Sequence, residues 1–107
     1  MVKESIINII KEYINELIKS NVILTKVILY GSHANDTANE NSDIDLMIVS
    51  PFFDDNRDKY LGLIWKLTAK SDFKIEPYPV GTERFESDDT SPIIQIAKSE
   101  GIEIDLN

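Results

Sequence analysis

Two aspartates one residue apart, Asp43 and Asp45, follow a Gly31-Ser32 pair after a ten-residue spacer, and a third acid, Glu76, stands between apolar neighbours further along. Side chains two apart on a strand leave the same face, with about 6.7 Å between their α-carbons, so Asp43 and Asp45 can converge on one cation while Ile44 points into a core. Aspartate is depleted in strands, so two on one face call for a reason. Three carboxylates forced together repel one another, and a bound cation resolves that repulsion. Carboxylate oxygens suit hard ions such as magnesium, with manganese as an alternative. Two such ions about 4 Å apart can bridge phosphates and steady an in-line displacement at phosphorus. Gly31 and Ser32 complete the set: a residue without a side chain at a strand-to-helix turn lets backbone amides and a hydroxyl approach an anion. Alone, a Gly-Ser pair is also what any turn into a helix uses, with Ser32 as its cap.

The elements that must position these groups can be read from periodicity. Apolar residues Ile6, Ile7, Ile10, Tyr13, Ile14, Leu17 and Ile18 recur every three or four positions, which predicts an amphipathic helix over residues 2–20. Residues 22–30 are β-branched and aromatic and run into Gly31, the pattern of a strand feeding a tight turn. A short helix is expected over 32–38, then a polar loop, then a strand over 43–49 whose Leu46-Met47-Ile48-Val49 end is apolar on both faces and therefore central in its sheet. Pro51 ends it, and Tyr60, Leu61, Ile64, Trp65 and Leu67 place a second helix over about 57–70 with Trp65 in the core. Residues 73–80 alternate as a strand carrying Glu76, and Pro77 and Pro79 mark that strand as an edge because neither has a ladder donor. An acidic loop is expected over 81–90, a helix from Ser91-Pro92 to Gly101, and a last strand through Ile102, Ile104 and Leu106. This alternation of helices and strands defines an α/β or α+β layer of about four strands, with strand order open.

Composition narrows the chemistry. At 107 residues the sequence has room for one core, so 1–107 reads as a single domain. No cysteine and one histidine exclude disulfides, thiolate zinc and multi-histidine metal sites. His33 has no second imidazole and no matched nucleophile in the pattern, and it reads as a turn or surface residue. No apolar run could span a bilayer and no secretory leader pattern occurs, so no membrane association and a cytoplasmic location are expected. Nineteen acidic against eleven basic residues give a net charge of -8, which disfavours long nucleic acid and suits a basic protein partner.

Gly31-Ser32, the ten-residue spacer and Asp43-Ile44-Asp45, followed by Glu76 before Pro79-Val80 and by Gly101-Ile102-Glu103-Ile104, resemble the signature of the DNA polymerase β-like nucleotidyltransferase superfamily, most closely its minimal nucleotidyltransferases. The resemblance covers nearly the whole chain and implies the nucleotidyltransferase fold with a mixed sheet. It further implies that Gly31 and Ser32 contact the triphosphate of an NTP, with ATP expected, and that Asp43 and Asp45 bind two magnesium ions. Glu76 would help hold the catalytic ion and activate the acceptor hydroxyl. The sequence departs from the family pattern at Asn35-Asp36, where many relatives carry Arg-Gly, and at Glu76, where Asp is common. Proteins similar to this one often serve as the antitoxin of a pair, moving AMP onto a tyrosine of a HEPN-type toxin. Two alternatives stand beside that reading: transfer to a small molecule of the aminoglycoside kind, and a binding module that silences its partner by occlusion.

Overall fold

The computed structural model describes residues 2–72 and 74–106. Its elements are α1 (Glu4–Lys19), β1 (Lys26–Tyr30), β2 (Ile44–Ser50), α2 (Phe52–Lys66), a 3-10 turn (Leu67–Lys70), β3 (Ile75–Gly81), α3 (Thr82–Ser87), α4 (Pro92–Glu100) and β4 (Ile102–Glu103). The sheet runs β3-β2-β1-β4. β1 is antiparallel to β2 and to β4, whereas β2 and β3 are parallel. A parallel pair needs a long crossover, and α2 with its 3-10 turn supplies it. The fold is thus a mixed four-stranded sheet packed with helices, as the alternating pattern anticipates.

Alternation along β2 divides the core. Ile44, Leu46 and Ile48 join Val27 and Leu29 of β1 in a cluster closed by α1 and α2. Helix α1 buries Ile10, Tyr13, Ile14 and Leu17, each worth roughly 1.5–3 kcal/mol, so it is the main cover of this face. The Tyr13 hydroxyl donates to the Ile64 carbonyl at 2.7 Å, which ties α1 to α2. The opposite face, with Ile28, Met47, Val49 and Val80, is covered by Phe85 of α3 and by Ile94 and Ala97 of α4. That smaller cover leaves the Asp45 end of the face without a helix from this cluster.

Several expectations hold. β2 is interior and fully buried from Leu46 to Ser50, and β3 is an edge strand that leaves the Pro77 and Pro79 nitrogens without a ladder role. Helix α4 starts at Pro92 and stops before Gly101.

Others are corrected. The residues after Gly31 form successive turns instead of a helix over 32–38, because the Gly31 carbonyl accepts from Ala34 N and Asn35 N, Ser32 O accepts from Thr37 N, and Asp36 takes φ 62°. Helix α2 begins at Phe52, ahead of the expected 57, and kinks at Asn56. Trp65 is 46% exposed while Ile64 beside it is fully buried, so the core side of α2 turns away from the indole. The expected loop over 81–90 contains α3, which buries only Phe85 and depends on a remote cap. Asp54 of α2 supplies that cap, accepting from Glu83 N at 3.1 Å and Arg84 N at 3.3 Å. Gly81 allows this approach, since a Cβ there would fall 1.8 Å from Asp54 Oδ1. The last strand is confined to Ile102–Glu103. The expected strand start at Phe73 and the outermost residues of the 1–107 domain lie outside the described residues. No described helix is long and apolar enough to cross a membrane.

Candidate active site

Register brings two of the three sequence-picked acids, Asp45 and Glu76, side by side at one end of the sheet. Asp45 is the partner of Tyr30 on β1 and of Glu76 on β3, so Tyr30, Asp45 and Glu76 form a row across the sheet. Asp43 stands exposed at the mouth of β2, one step before its first paired residue. The next row toward the covered end is Ile28, Met47 and Tyr78.

Electrostatics follow from this crowding. Burial first, then the Glu76 charge and a hydrogen bond with Glu76, then Asp43, push the Asp45 carboxyl up to about 6, while His33 pulls the other way. Two carboxyls share a hydrogen bond only when one carries a proton. Below about pH 6 a proton on Asp45 relieves this crowding, and above it a cation can, for which the donor set of carboxylate oxygens suits a hard divalent ion. Among the described residues no three acidic or imidazole groups already stand together as a complete metal-ligand set. The fit rests on the Asp45–Glu76 pair, with Asp43 as the adjoining acid.

Gly31 is built into the same pairing. Its φ of 77° lies in the left-handed region, and a Cβ there would sit 2.3 Å from Asp45 Oδ2. The anion cradle expected at a helix start is altered: Ser32 lies in a chain of turns, with no helix following to lend its positive end. Ser32 and His33 instead line a cleft of about 430 Å³ between this turn and the start of α1, with Lys74 on the β3 side. His33 Nε2 is 3.5 Å from the Ser42 carbonyl, and Lys74 Nζ donates to the Glu40 carbonyl.

Two tyrosines escape motif reading. Tyr30 flanks Asp45, and burial followed by the nearby Asp45, Tyr78 and Glu76 charges raises its hydroxyl to about 12, which keeps it a neutral donor. Tyr78, two residues after Glu76 on the same face, lies under the Arg57 guanidinium, 5.5 Å from the ring centroid. Arg57 is itself held by a 3.0 Å bond to the Pro79 carbonyl. A period of two counted onward from Glu76 is the signal that could have found Tyr78, whereas Tyr30, the last strand residue before Gly31, is placed beside Asp45 only by the strand register.

The mixed four-stranded sheet carries helices on both faces and the Asp45–Glu76 pair at one end. Residues 7–105 match the nucleotidyltransferase domain family, and the chain belongs to that family. In three dimensions it is similar to a candidate nucleotidyltransferase from Sulfolobus solfataricus, with a TM-score of 0.67 at 15% identity over 92% of this chain and 78% of the other. No curated protein matches the sequence.

Proposed function

We propose that this protein transfers a nucleoside monophosphate, AMP from ATP, onto a hydroxyl, and that the acceptor is a tyrosine of a HEPN-type toxin, making the chain an antitoxin that works by modification. The observation that carries the reading is the lateral Asp45–Glu76 pair, whose crowding with the nearby Asp43 charge raises the Asp45 carboxyl to about 6. A surface row of acids with no task would be spread apart by its own repulsion.

Asp43, Asp45 and Glu76 would hold the magnesium ions. When bound, these ions offset charge on the transferring phosphoryl group. Ser32 would present its hydroxyl to the phosphates, and Gly31 holds the turn against Asp45 so that the phosphates and the acids meet at one place. The acceptor oxygen forms a bond to the α-phosphorus, the bond from that phosphorus to the β-bridging oxygen breaks, and pyrophosphate leaves. The acceptor proton passes to a carboxylate of the row, Glu76 in this reading. Tyr30, a neutral hydroxyl beside Asp45, keeps the row oriented. The net charge of -8 suits a basic protein acceptor and a cytoplasmic pair of proteins.

The test uses the HEPN-type partner, magnesium and ATP, incubated with wild type or with Asp43→Asn/Asp45→Asn, followed by intact-protein mass measurement and a toxicity assay. The reading requires a gain of one or more AMP units and loss of toxicity with wild type alone. Neutralisation by both proteins with no added mass would replace it with occlusion.

A further inference from the structure

Among its eleven basic residues the chain has only two arginines, Arg57 and Arg84, and both meet one side chain, Tyr78. The Arg57 guanidinium lies over the Tyr78 ring, 5.5 Å from its centroid, and Arg57 Nε donates to the Pro79 carbonyl at 3.0 Å. The Arg84 side chain hydrogen-bonds Tyr78 and donates through Nε to Asp88 Oδ2 at 3.2 Å. Lysine could supply charge alone, but a planar fork that stacks on a ring and presents paired donors is particular to arginine.

Arg57 is half-buried, and among the described residues it has no ion-pair partner. An unpaired guanidinium is unexpected in a chain of net charge -8, with Asp54, Asp55 and Asp58 close by in sequence. The Nε bond and the ring contact fix the guanidinium plane, so the terminal amino groups are the part of the fork left to an incoming acceptor. The kink of α2 at Asn56 comes immediately before Arg57. Helix α2 packs Phe53 and Ile64 into the cluster under α1, whereas Tyr78 packs against the opposite cluster, so Arg57 joins the two faces across the edge of β3.

This edge is also the way to the acid row for a large acceptor. Glu76 is exposed on the edge strand, while the Gly31 turn follows β1, on the far side of β2. With the NTP phosphates toward that turn, a protein acceptor reaches Glu76 over the β3 edge, beside Arg57 and Tyr78. Tyr78 stands two residues past Glu76, about 6.7 Å along the strand.

We propose that Arg57, aligned by Tyr78 and the Pro79 carbonyl and joined by Arg84, binds a carboxylate side chain of the acceptor protein two residues from the tyrosine that is modified. The proposal rests on the tyrosine-transfer reading and adds to it how one tyrosine is chosen. Side chains two residues apart on an extended segment have the same separation of about 6.7 Å, so one meets the acid row as the other meets the guanidinium. Overall charge draws a basic acceptor in, and one carboxylate–guanidinium pair sets its register.

The experiment uses synthetic peptides with a single tyrosine and Glu, Gln or Lys two residues from it on either side. Each is incubated with the protein, magnesium and ATP, and AMP addition is followed by mass. Wild type should favour the better Glu peptide over its Gln and Lys counterparts by about tenfold or more in kcat/KM, mainly through KM, and added salt should shrink the difference. Arg57→Gln and Arg57→Lys should each bring the Glu-to-Gln ratio to within about twofold of one, with thermal melts to verify folding. Equal transfer to Glu and Gln peptides by wild type, or a Glu preference that both folded variants retain, would overturn the proposal and leave the transferase reading intact. Glutarate titrated into isotope-labelled wild type reads the anion site without turnover: the Arg57 Nε–H signal should shift, and an unmoved signal would overturn the proposal. Transfer to no peptide would overturn the tyrosine reading and this proposal together.

Discussion

Replacing Asp45 with asparagine should stabilise the cation-free protein at neutral pH even as it removes activity. The Asp45 carboxyl sits at about 6 against an ordinary 3.8, so its ionised form is disfavoured in the folded state. A displacement of that size corresponds to at most about 3 kcal/mol. Partial exposure screens the interaction and reduces the expected gain to about 1–2 kcal/mol. Asparagine keeps the shape and can donate to Glu76 without a proton from solvent. The sign in pH follows from linkage. Between about 4 and 6 the folded state holds a proton that the unfolded chain has released, so wild-type stability falls as pH rises through that window and then levels. The variant lacks this loss. Urea unfolding in EDTA should therefore give a gap in favour of Asp45→Asn at about pH 8 that shrinks toward zero near pH 3.5. Magnesium should narrow the gap at pH 8 by stabilising wild type alone. A variant less stable than wild type at pH 8, or a gap of equal size at both pH values, would refute the crowding argument.

Gly31→Ala should cost about 1–2 kcal/mol from its left-handed backbone alone, with a further loss from the Cβ that meets Asp45 Oδ2, and should lower kcat more than it raises KM for the NTP. Denaturant melts and steady-state kinetics check both parts. On α2, Ile64→Ala should destabilise by about 2–5 kcal/mol, while Trp65→Ser at the exposed neighbouring position should stay within about 0.5 kcal/mol. Equal losses at the two positions would contradict the observed facing of the helix.

Much of this fold is written in local periodicity. The three- and four-residue spacing of α1, the doubly apolar run in β2, and the two prolines that mark β3 as an edge each have a physical cause that survives in the isolated segment. What is not legible depends on distant partners. Helix α3 has one buried apolar residue, too few for a helical period, and its cap comes from Asp54, 28 positions before Thr82. A helix is expected after Gly31, but Ser32, Asn35, Asp36 and Thr37 are turn and cap formers, and Asp36 takes a positive φ that ends any helical path. Trp65 occupies a helical spacing that only the kink at Asn56 and the docking of α1 resolve in favour of solvent. For the candidate site, residue types and spacing point to Asp43, Asp45 and Glu76, whereas the place of Tyr30 beside Asp45 requires the register of β1 on β2.

In the proposed function the acids of β2 and β3 bind the divalent ions. Stepwise addition of manganese to isotope-labelled protein, with paramagnetic broadening followed residue by residue, tests it most directly. A competing acidic surface exists on α2, where Asp54, Asp55 and Asp58 line a shallow recess. Signals of Asp43, Asp45, Glu76 and Gly31 should vanish first, and Asp45→Asn should abolish this. Broadening that begins at Asp55 and Asp58 and spares the sheet would contradict it.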